Sequence, residues 1–208
     1  MKGKGLKLYE AATRVIDLLW AGILWILCCL PVITAGASCC AFYYTVVKCI
    51  RHERGRTTKS FFSSFVSNFK QATVCHLCML LYIALGTANA FAIGQLRGSA
   101  GPSVAAAIIF AVPALVLMPW LFPLISRIAL RFAQVWKTAV YLSIRHIAQT
   151  IACALLAVLT ASIAFLVPYL LPVLPGPVCL IMSFLVEPGL KELTDSIDDT
   201  NEDRWYNE

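Results

Sequence analysis

The fold is decided by residues 71–126, which read QATVCHLCMLLYIALGTANAFAIGQLRGSAGPSVAAAIIFAVPALVLMPWLFPLIS. Arg97 is the only Lys, Arg, Asp or Glu in this stretch. The 26 residues before it and the 29 after it can each form one membrane-spanning helix, which needs about 20 apolar residues. A third uncharged stretch, residues 147–186, is interrupted by four prolines and has room for two more helices.

The composition of the whole chain agrees with this prediction. Of 208 residues, 60% are hydrophobic and 13% are charged, whereas about 25% are charged in an average soluble protein. These values exclude a soluble globular protein. No Asp or Glu lies between Glu53 and Glu187, and this absence excludes a pair of catalytic carboxylates in the central spans. We therefore predict an all-α, polytopic membrane helical bundle without enzymatic activity.

The first apolar region is predicted to be a short hairpin. Thirty uncharged residues run from Leu18 to Val47, too many for one straight crossing and too few for two full ones. Pro31 and Gly36 interrupt this run, so we expect a helix over 15–31, a turn, and a shorter helix over 36–48. With this pair, the bundle has about six membrane segments.

The positions of the positive charges predict the orientation. If the first region enters and returns, 16 of the 17 Lys and Arg residues lie on one side, and Arg97 alone lies on the other side with the Pro172–Pro177 turn. Because positive residues near span ends are enriched on the cytoplasmic side, we expect a multi-pass membrane protein with both termini cytoplasmic. Basic residues that border apolar spans are a topology signal, so no nucleic-acid partner is expected.

The chain is predicted to be one transmembrane domain, residues 1–190, followed by an acidic cytoplasmic tail, residues 191–208. Eight of the 11 Asp and Glu residues lie in the last 22 positions, where few apolar residues are available to form a core. Asp17 and Glu187 lie near the ends of apolar segments. We expect them to be solvated at the interface or paired with Arg14 or Lys191.

Two cytoplasmic stretches are predicted to form interfacial helices. In residues 57–70, Phe and Val side chains recur at helical spacing opposite Ser and Asn. In residues 127–145, basic and polar residues form one stripe of a helix. This surface could contact a partner protein or anionic lipid, or it could simply be the solvated face of a surface helix. Its candidate contact residues are Arg127, Arg131, Trp136, Lys137 and Arg145.

Prolines within the apolar segments supply a second candidate site. Pro113, Pro119 and Pro123 fall within 11 residues and should kink the predicted span, which frees backbone carbonyls. Broken helices occur in transporters, where they surround a substrate site near the middle of the bilayer. The candidate helix-break positions are Pro31, Gly36, Pro113 and Pro119.

Nine cysteines lie in or beside the apolar runs, where cysteine acts as a small hydrophobic residue. We expect them to be reduced and structural. Cys75 and Cys78 share a helix face and could bind a soft metal, but His76 points about 100° away from them and no second Cys or His pair has matching spacing. Structural packing is the preferred interpretation, and no metal or cofactor is predicted.

Residues 15–73 resemble the opening of the YesL-like family of small bacterial integral membrane proteins. The shared features are an apolar run with tryptophan that ends in LPVITAG, the AFYY segment, a basic hairpin, and the FFSSFVSNFKQA segment. The family is biochemically uncharacterised, so the resemblance transfers no catalytic residues. The genes of its members often lie beside genes for carbohydrate ABC-importer components. The resemblance therefore implies an accessory or regulatory role with such an importer.

Two functional hypotheses follow. The first is an accessory membrane component that contacts importer subunits or a second copy of itself within the lipid bilayer. The alternative is a small solute transporter or permease-like subunit that uses the helices broken by proline.

Overall fold

The computed structural model describes residues 2–97, 100–128, 130–170 and 172–196. These residues form seven α-helices, with no β-strand within the described ranges. The helices are α1 (Lys2–Cys29), α2 (Ala35–Thr45), α3 (Thr57–Arg97), α4 (Ala100–Arg127), α5 (Phe132–Arg145), α6 (Ile147–Leu166) and α7 (Pro175–Ser196). The predicted all-α class is confirmed.

Among the described residues, five helical segments are long and apolar enough to cross a membrane. They are Ala12–Cys29, Val32–Arg51, Thr57–Leu96, Gly101–Arg127 and Ile147–Leu166. The sixth predicted segment corresponds to α7, which is apolar up to Val186 and then carries Glu187, Lys191 and Glu192. The predicted membrane bundle is therefore confirmed in type, and its last helix combines an apolar half with a charged half.

The first apolar region forms the predicted hairpin. The chain leaves α1 before Pro31, which is extended, and makes a short 3₁₀ turn at Val32–Thr34. The Thr34 hydroxyl donates to the carbonyl of Cys28 at 2.7 Å and closes the turn. At the other end, an Arg14–Glu53 ion pair joins α1 to the residues that follow α2, and Trp20 Nε1 of α1 donates to Thr58 Oγ1 at the start of α3 at 2.9 Å. The hairpin thus enters and returns to the same end.

Gly36 is the second residue of α2, so the helix begins one position before its predicted start and the break lies between Cys29 and Ala35. Helix α2 continues after Thr45 as a π-helical turn over Val46–Arg51. The helix can pass close to α3 at this point because Gly36 has no side chain. An added Cβ atom would lie 2.4 Å from the Cβ of His76 and 2.6 Å from the carbonyl oxygen of Ala72.

The stretch 57–70 is not a separate interfacial helix. It forms the first third of α3, a continuous helix of 41 residues, which at 1.5 Å per residue is about 60 Å long. Phe61 is fully buried, and Phe65 and Phe69 pack on core clusters, whereas Val66 is exposed. The aromatic face therefore meets the hairpin of α1 and α2 and the bundle core, where the prediction placed lipid headgroups.

The second predicted interfacial helix begins later than expected. Arg127 ends α4, and α5 begins at Phe132 after a break in which the Arg131 backbone N–H donates to Gln134 Oε1 at 3.1 Å. Val135, Ala139 and Leu142 of α5 are buried in the main core, and the Ser143 hydroxyl oxygen lies 3.4 Å from the carbonyl oxygen of Val116 in α4. Thus α5 folds back along α4 and protein covers one side of it, whereas Val140 and Ile144 on its other side are exposed.

This return path sets the position of the last two helices. Because α5 runs back along α4, α6 begins beside the last third of α4, where Trp120 Nε1 donates to Thr150 Oγ1 at 2.8 Å. The α6–α7 turn then reaches α1, where a Cβ added to Gly22 would lie 2.8 Å from the carbonyl oxygen of Pro172. Gly22 lies in the second half of α1, towards the Pro31 turn, and the predicted position of the α6–α7 turn on the side opposite the N-terminus stays a prediction.

The boundary predicted at residue 190 does not coincide with the end of a helix. Helix α7 continues to Ser196, with Leu190 and Thr194 buried and Leu193 packed on the core. The first residues of the predicted tail are therefore part of the bundle. Residues 197–208 lie outside the described residues.

Candidate functional site

A buried polar cluster joins the ends of α2 and α4 to the middle of α7. Glu187 of α7 accepts a hydrogen bond from the Tyr43 hydroxyl of α2 at 2.9 Å, and it forms an ion pair with Arg127 at the end of α4. The Arg127 and Glu187 side chains are only 4% and 3% exposed. Ionisable groups buried in this way are costly unless they are paired, and in membrane proteins they usually mark a functional or structural centre.

The partner predicted for Glu187 was wrong. Arg14 pairs with Glu53, and Glu187 takes Arg127, which lies 60 positions earlier in the chain. The sequence signalled that Glu187 was unusual because it ends an apolar run. No local pattern indicates that the end of α4 meets the middle of α7, and sequence reasoning missed Tyr43 altogether as a member of the site.

Positive charge surrounds this cluster. The Arg51 guanidinium lies 4.4 Å from the centre of the Phe184 ring and donates to the carbonyl of Ser183 at 3.1 Å. Partial burial, reinforced by the charges of Arg51 and Arg127, lowers the pKa of His52 from its usual value. A lowered pKa keeps His52 mainly neutral at pH 7, so Arg51 and Arg127 supply the positive charge beside Glu187.

An apolar cavity of about 430 Å³ adjoins the cluster. Its walls come from α1, α2, α4, α6 and α7, together with Leu174 just before α7. Its volume is within the range of ligand pockets. Tyr43 is shared between the cavity wall and the polar cluster, and Val186, the neighbour of Glu187, also lines the cavity. The buried ion pair therefore lies beside this cavity.

The polar groups in the cavity wall already have partners. The Tyr43 hydroxyl donates to Glu187, the Thr160 hydroxyl donates to the carbonyl of Leu156 at 2.6 Å, and Trp25 Nε1 donates to Cys39 Sγ at 3.4 Å. A polar solute such as a sugar would lose its water without gaining matching hydrogen bonds from these donors. The cavity suits an apolar molecule or hydrocarbon chain.

The predicted surface of residues 127–145 is divided by the structure. Arg131, Lys137 and Arg145 are exposed, and Arg145 pairs with Glu192 of α7. Trp136 is partly buried against the main core. Arg127 is wrongly placed by the prediction, because its side chain points into the bundle and pairs with Glu187.

The four predicted helix-break positions do not form one site. Pro31 ends the first helix, Gly36 lies at a close helix crossing, and Pro113 lies within α4 but does not line the cavity. Pro119 lies in the cavity wall, together with Pro123. The series of prolines in α4 is the part of this prediction that coincides with a cavity.

The cysteines are free thiols, and the candidate metal motif is divided between two environments. Cys75 is buried in the main core, whereas Cys78 is exposed on the surface of α3. In the part of the chain that the structure describes, no three His, Cys, Asp or Glu side chains are placed to hold a metal ion. Cys75 and Cys78 therefore do not share a site here.

Comparison with known proteins gives one result. No curated protein and no solved structure matches the chain. Residues 18–90, which form the second half of α1, α2 and most of α3, are similar to a family described as "Protein of unknown function, DUF624".

Proposed function

We propose that this protein is a non-enzymatic accessory or regulatory component of the bacterial cell membrane that associates with a carbohydrate ABC importer. Its YesL-like features, at residues 15–73, lie almost wholly within the DUF624 segment, and the YesL-like proteins belong to that family. The buried carboxylate of Glu187 is held by Arg127 and Tyr43, which supports a structural role for it.

One observation carries this proposal: α5 is held in a fixed position and two cations, Arg131 at its N-cap and Lys137, are exposed there beside the exposed apolar side chain of Ile144. Val135, Ala139 and Leu142 anchor the helix in the core, while Arg131 and Lys137 are exposed. A basic surface held rigidly at the protein boundary can bind an acidic surface of another protein, because complementary charge directs association and selects partners. The chemistry of the partner is therefore an acidic face on an importer subunit.

The test is recovery of importer subunits with the purified protein. The tagged protein in mild detergent should recover the permease or ATPase of a carbohydrate importer, and Lys137→Glu should reduce that recovery several-fold because it reverses the charge of the basic face. Lys59→Glu, at an exposed position in α3, is the matched control and should recover normal amounts. If only a second copy of this chain were recovered, the proposed importer association would be wrong and the protein would form a homo-oligomer instead.

A second candidate is transport of a small solute, favoured by the cavity beside Pro119 and Pro123. Because its wall is almost entirely apolar, the transported molecule would be apolar. Liposomes that contain the purified protein alone should then show saturable uptake. Ala161→Trp, which narrows the cavity, should reduce uptake at least tenfold, whereas Ala105→Trp on an exposed face of α4 should not.

We also propose that both termini face the cytoplasm. The charge count supports this orientation, since 16 of 17 Lys and Arg residues fall on one side in the predicted topology. The two ends of α3 provide the test because one helix about 60 Å long joins them. In a cysteine-free background, Thr58→Cys should be labelled only from the cytoplasm and Leu96→Cys only from outside; labelling of both from one side would contradict the orientation.

A further inference from the structure

The apolar cavity opens at the surface of the protein between α4 and α6. Two of its wall residues, Met118 of α4 and Ala161 of α6, are exposed at this mouth. Both residues lie well inside segments that are long and apolar enough to cross a membrane, Gly101–Arg127 and Ile147–Leu166. In a bilayer the mouth of the cavity therefore faces lipid hydrocarbon rather than water.

The volume of the cavity suits one hydrocarbon chain. At about 430 Å³ it is nearly three times as large as a dry apolar cavity that binds benzene, about 150 Å³. Filling to the same density gives room for roughly 17 carbon atoms. Protein interiors rarely contain empty spaces of this size, because the atoms around a void lose their dispersion contacts. We therefore expect the cavity to be filled.

One wall of the cavity is a groove along α6. Ala157, Ala161 and Ala164 are spaced four and three residues apart, so they lie on one face of the helix and extend about 10 Å along its axis. Met118 and Met182 line other parts of the wall, and the unbranched thioether side chain adapts to an occupant of irregular shape. An elongated, flexible molecule fits this arrangement better than a compact one.

The wall offers few polar contacts to an occupant. The hydroxyl of Tyr43 donates to Glu187, and the thiols of Cys39 and Cys179 are weak donors. A charged headgroup inside the cavity would lose its water without gaining matching hydrogen bonds, which is costly. The chain of a lipid can therefore enter while its headgroup stays outside the mouth.

We propose that one acyl chain of a membrane phospholipid enters this cavity between α4 and α6 and remains there as a bound ligand. The chain lies along the three alanines of α6. Acyl chains surround the mouth at a far higher concentration than a dissolved apolar solute reaches, and occupancy of a site rises with the concentration of its ligand. The inference requires neither the importer association nor transport, because the exposed cations of α5 do not line the cavity and a bound chain need not cross the membrane.

Photo-crosslinking in liposomes tests the proposal. The purified full-length protein is reconstituted with phosphatidylcholine that carries a diazirine near the end of one acyl chain, and the labelled residues are identified by peptide mass spectrometry. Cys179, in the cavity wall and packed on a core cluster, should be labelled. Leu81 and Leu85 of α3, which are exposed, should be labelled by the surrounding lipid and serve as the internal reference.

Substitutions that fill the cavity should remove the label from its wall. Ala161→Trp should lower the labelling of Cys179 relative to Leu81 roughly tenfold, because an overpacked site excludes its ligand. Ala157→Leu adds a smaller side chain to the same groove and gives a second measurement that does not depend on the folding of the tryptophan variant. Ala105→Trp, on an exposed face of α4, is the matched control and should leave both labels unchanged.

Three outcomes would overturn the proposal. The first is labelling of the native protein at Leu81 and Leu85 without labelling of Cys179, whether or not the same liposomes show saturable uptake of a solute. The second is labelling of Cys179 that is undiminished in both Ala161→Trp and Ala157→Leu. The third is an unlabelled cavity wall in a dimeric protein, which would assign the cavity to a contact with a second copy of this chain.

Discussion

Replacement of Arg127 by methionine is expected to lower the free energy of unfolding by about 3–5 kcal/mol. The substitution removes the positive partner of Glu187, whose side chain is 3% exposed, and leaves a carboxylate buried with Tyr43 as its remaining neutral donor. A buried charge that loses its partner keeps its desolvation penalty without the compensating attraction. Reversible unfolding of the purified protein in mixed detergent micelles would measure the loss.

Two further variants separate this explanation from a simple loss of packing. The triple variant Arg127→Met, Glu187→Met and Tyr43→Phe removes both charges and the hydroxyl that would lose its acceptor, so it should recover most of the stability. Arg145→Met breaks the Arg145–Glu192 pair, whose side chains are about half exposed, and should change stability little. Equal losses for Arg127→Met and the triple variant would contradict a role for the unpaired charge.

The class of the fold could be predicted because its signals are local. Uncharged runs longer than a membrane span identify helices wherever they occur, and Pro31 marked the end of α1 without any knowledge of neighbouring helices. The path of α5 could not be predicted in this way. The same amphipathic periodicity fits a helix whose apolar face meets lipid and one whose apolar face meets protein. In residues 57–70 and 132–145 some apolar side chains are buried in the core, whereas others, among them Val66 and Ile144, are exposed.

The candidate site could be predicted only in fragments. Glu187 and Pro119 stood out because a carboxylate and a proline are unusual in apolar segments. Tyr43 gave no signal, since a tyrosine in a membrane helix is common near interfaces. The pairing of Arg127 with Glu187 and the cavity beside Pro119 depend on which helices are neighbours, and that information is absent from the spacing of residues along one helix.

Gly36→Leu is the second substitution with a large expected effect, a loss of about 3 kcal/mol, at the upper end of the range for overpacking. The added Cβ atom alone would lie 2.4 Å from the Cβ of His76 and 2.6 Å from the carbonyl oxygen of Ala72. A backbone oxygen cannot move aside as the end of a flexible side chain can. Helices α2 and α3 would therefore have to separate, which should appear as a lower unfolding free energy in mixed micelles.

Gly101→Leu is the matched control, because a Cβ atom at Gly101 meets no atom within 4 Å and leucine favours the helix more than glycine does. This variant should be as stable as the native protein or slightly more stable.

The comparison also tests why Gly36 is a glycine. Among the described residues the glycine with a positive φ is Gly55, so Gly36 needs no special backbone freedom. If Gly36→Leu were as stable as Gly101→Leu, the close approach of α2 to α3 would be wrong. If truncation of His76 to alanine restored Gly36→Leu fully, the clash would lie with the imidazole ring, since the Cβ of residue 76 and the carbonyl of Ala72 remain in that variant.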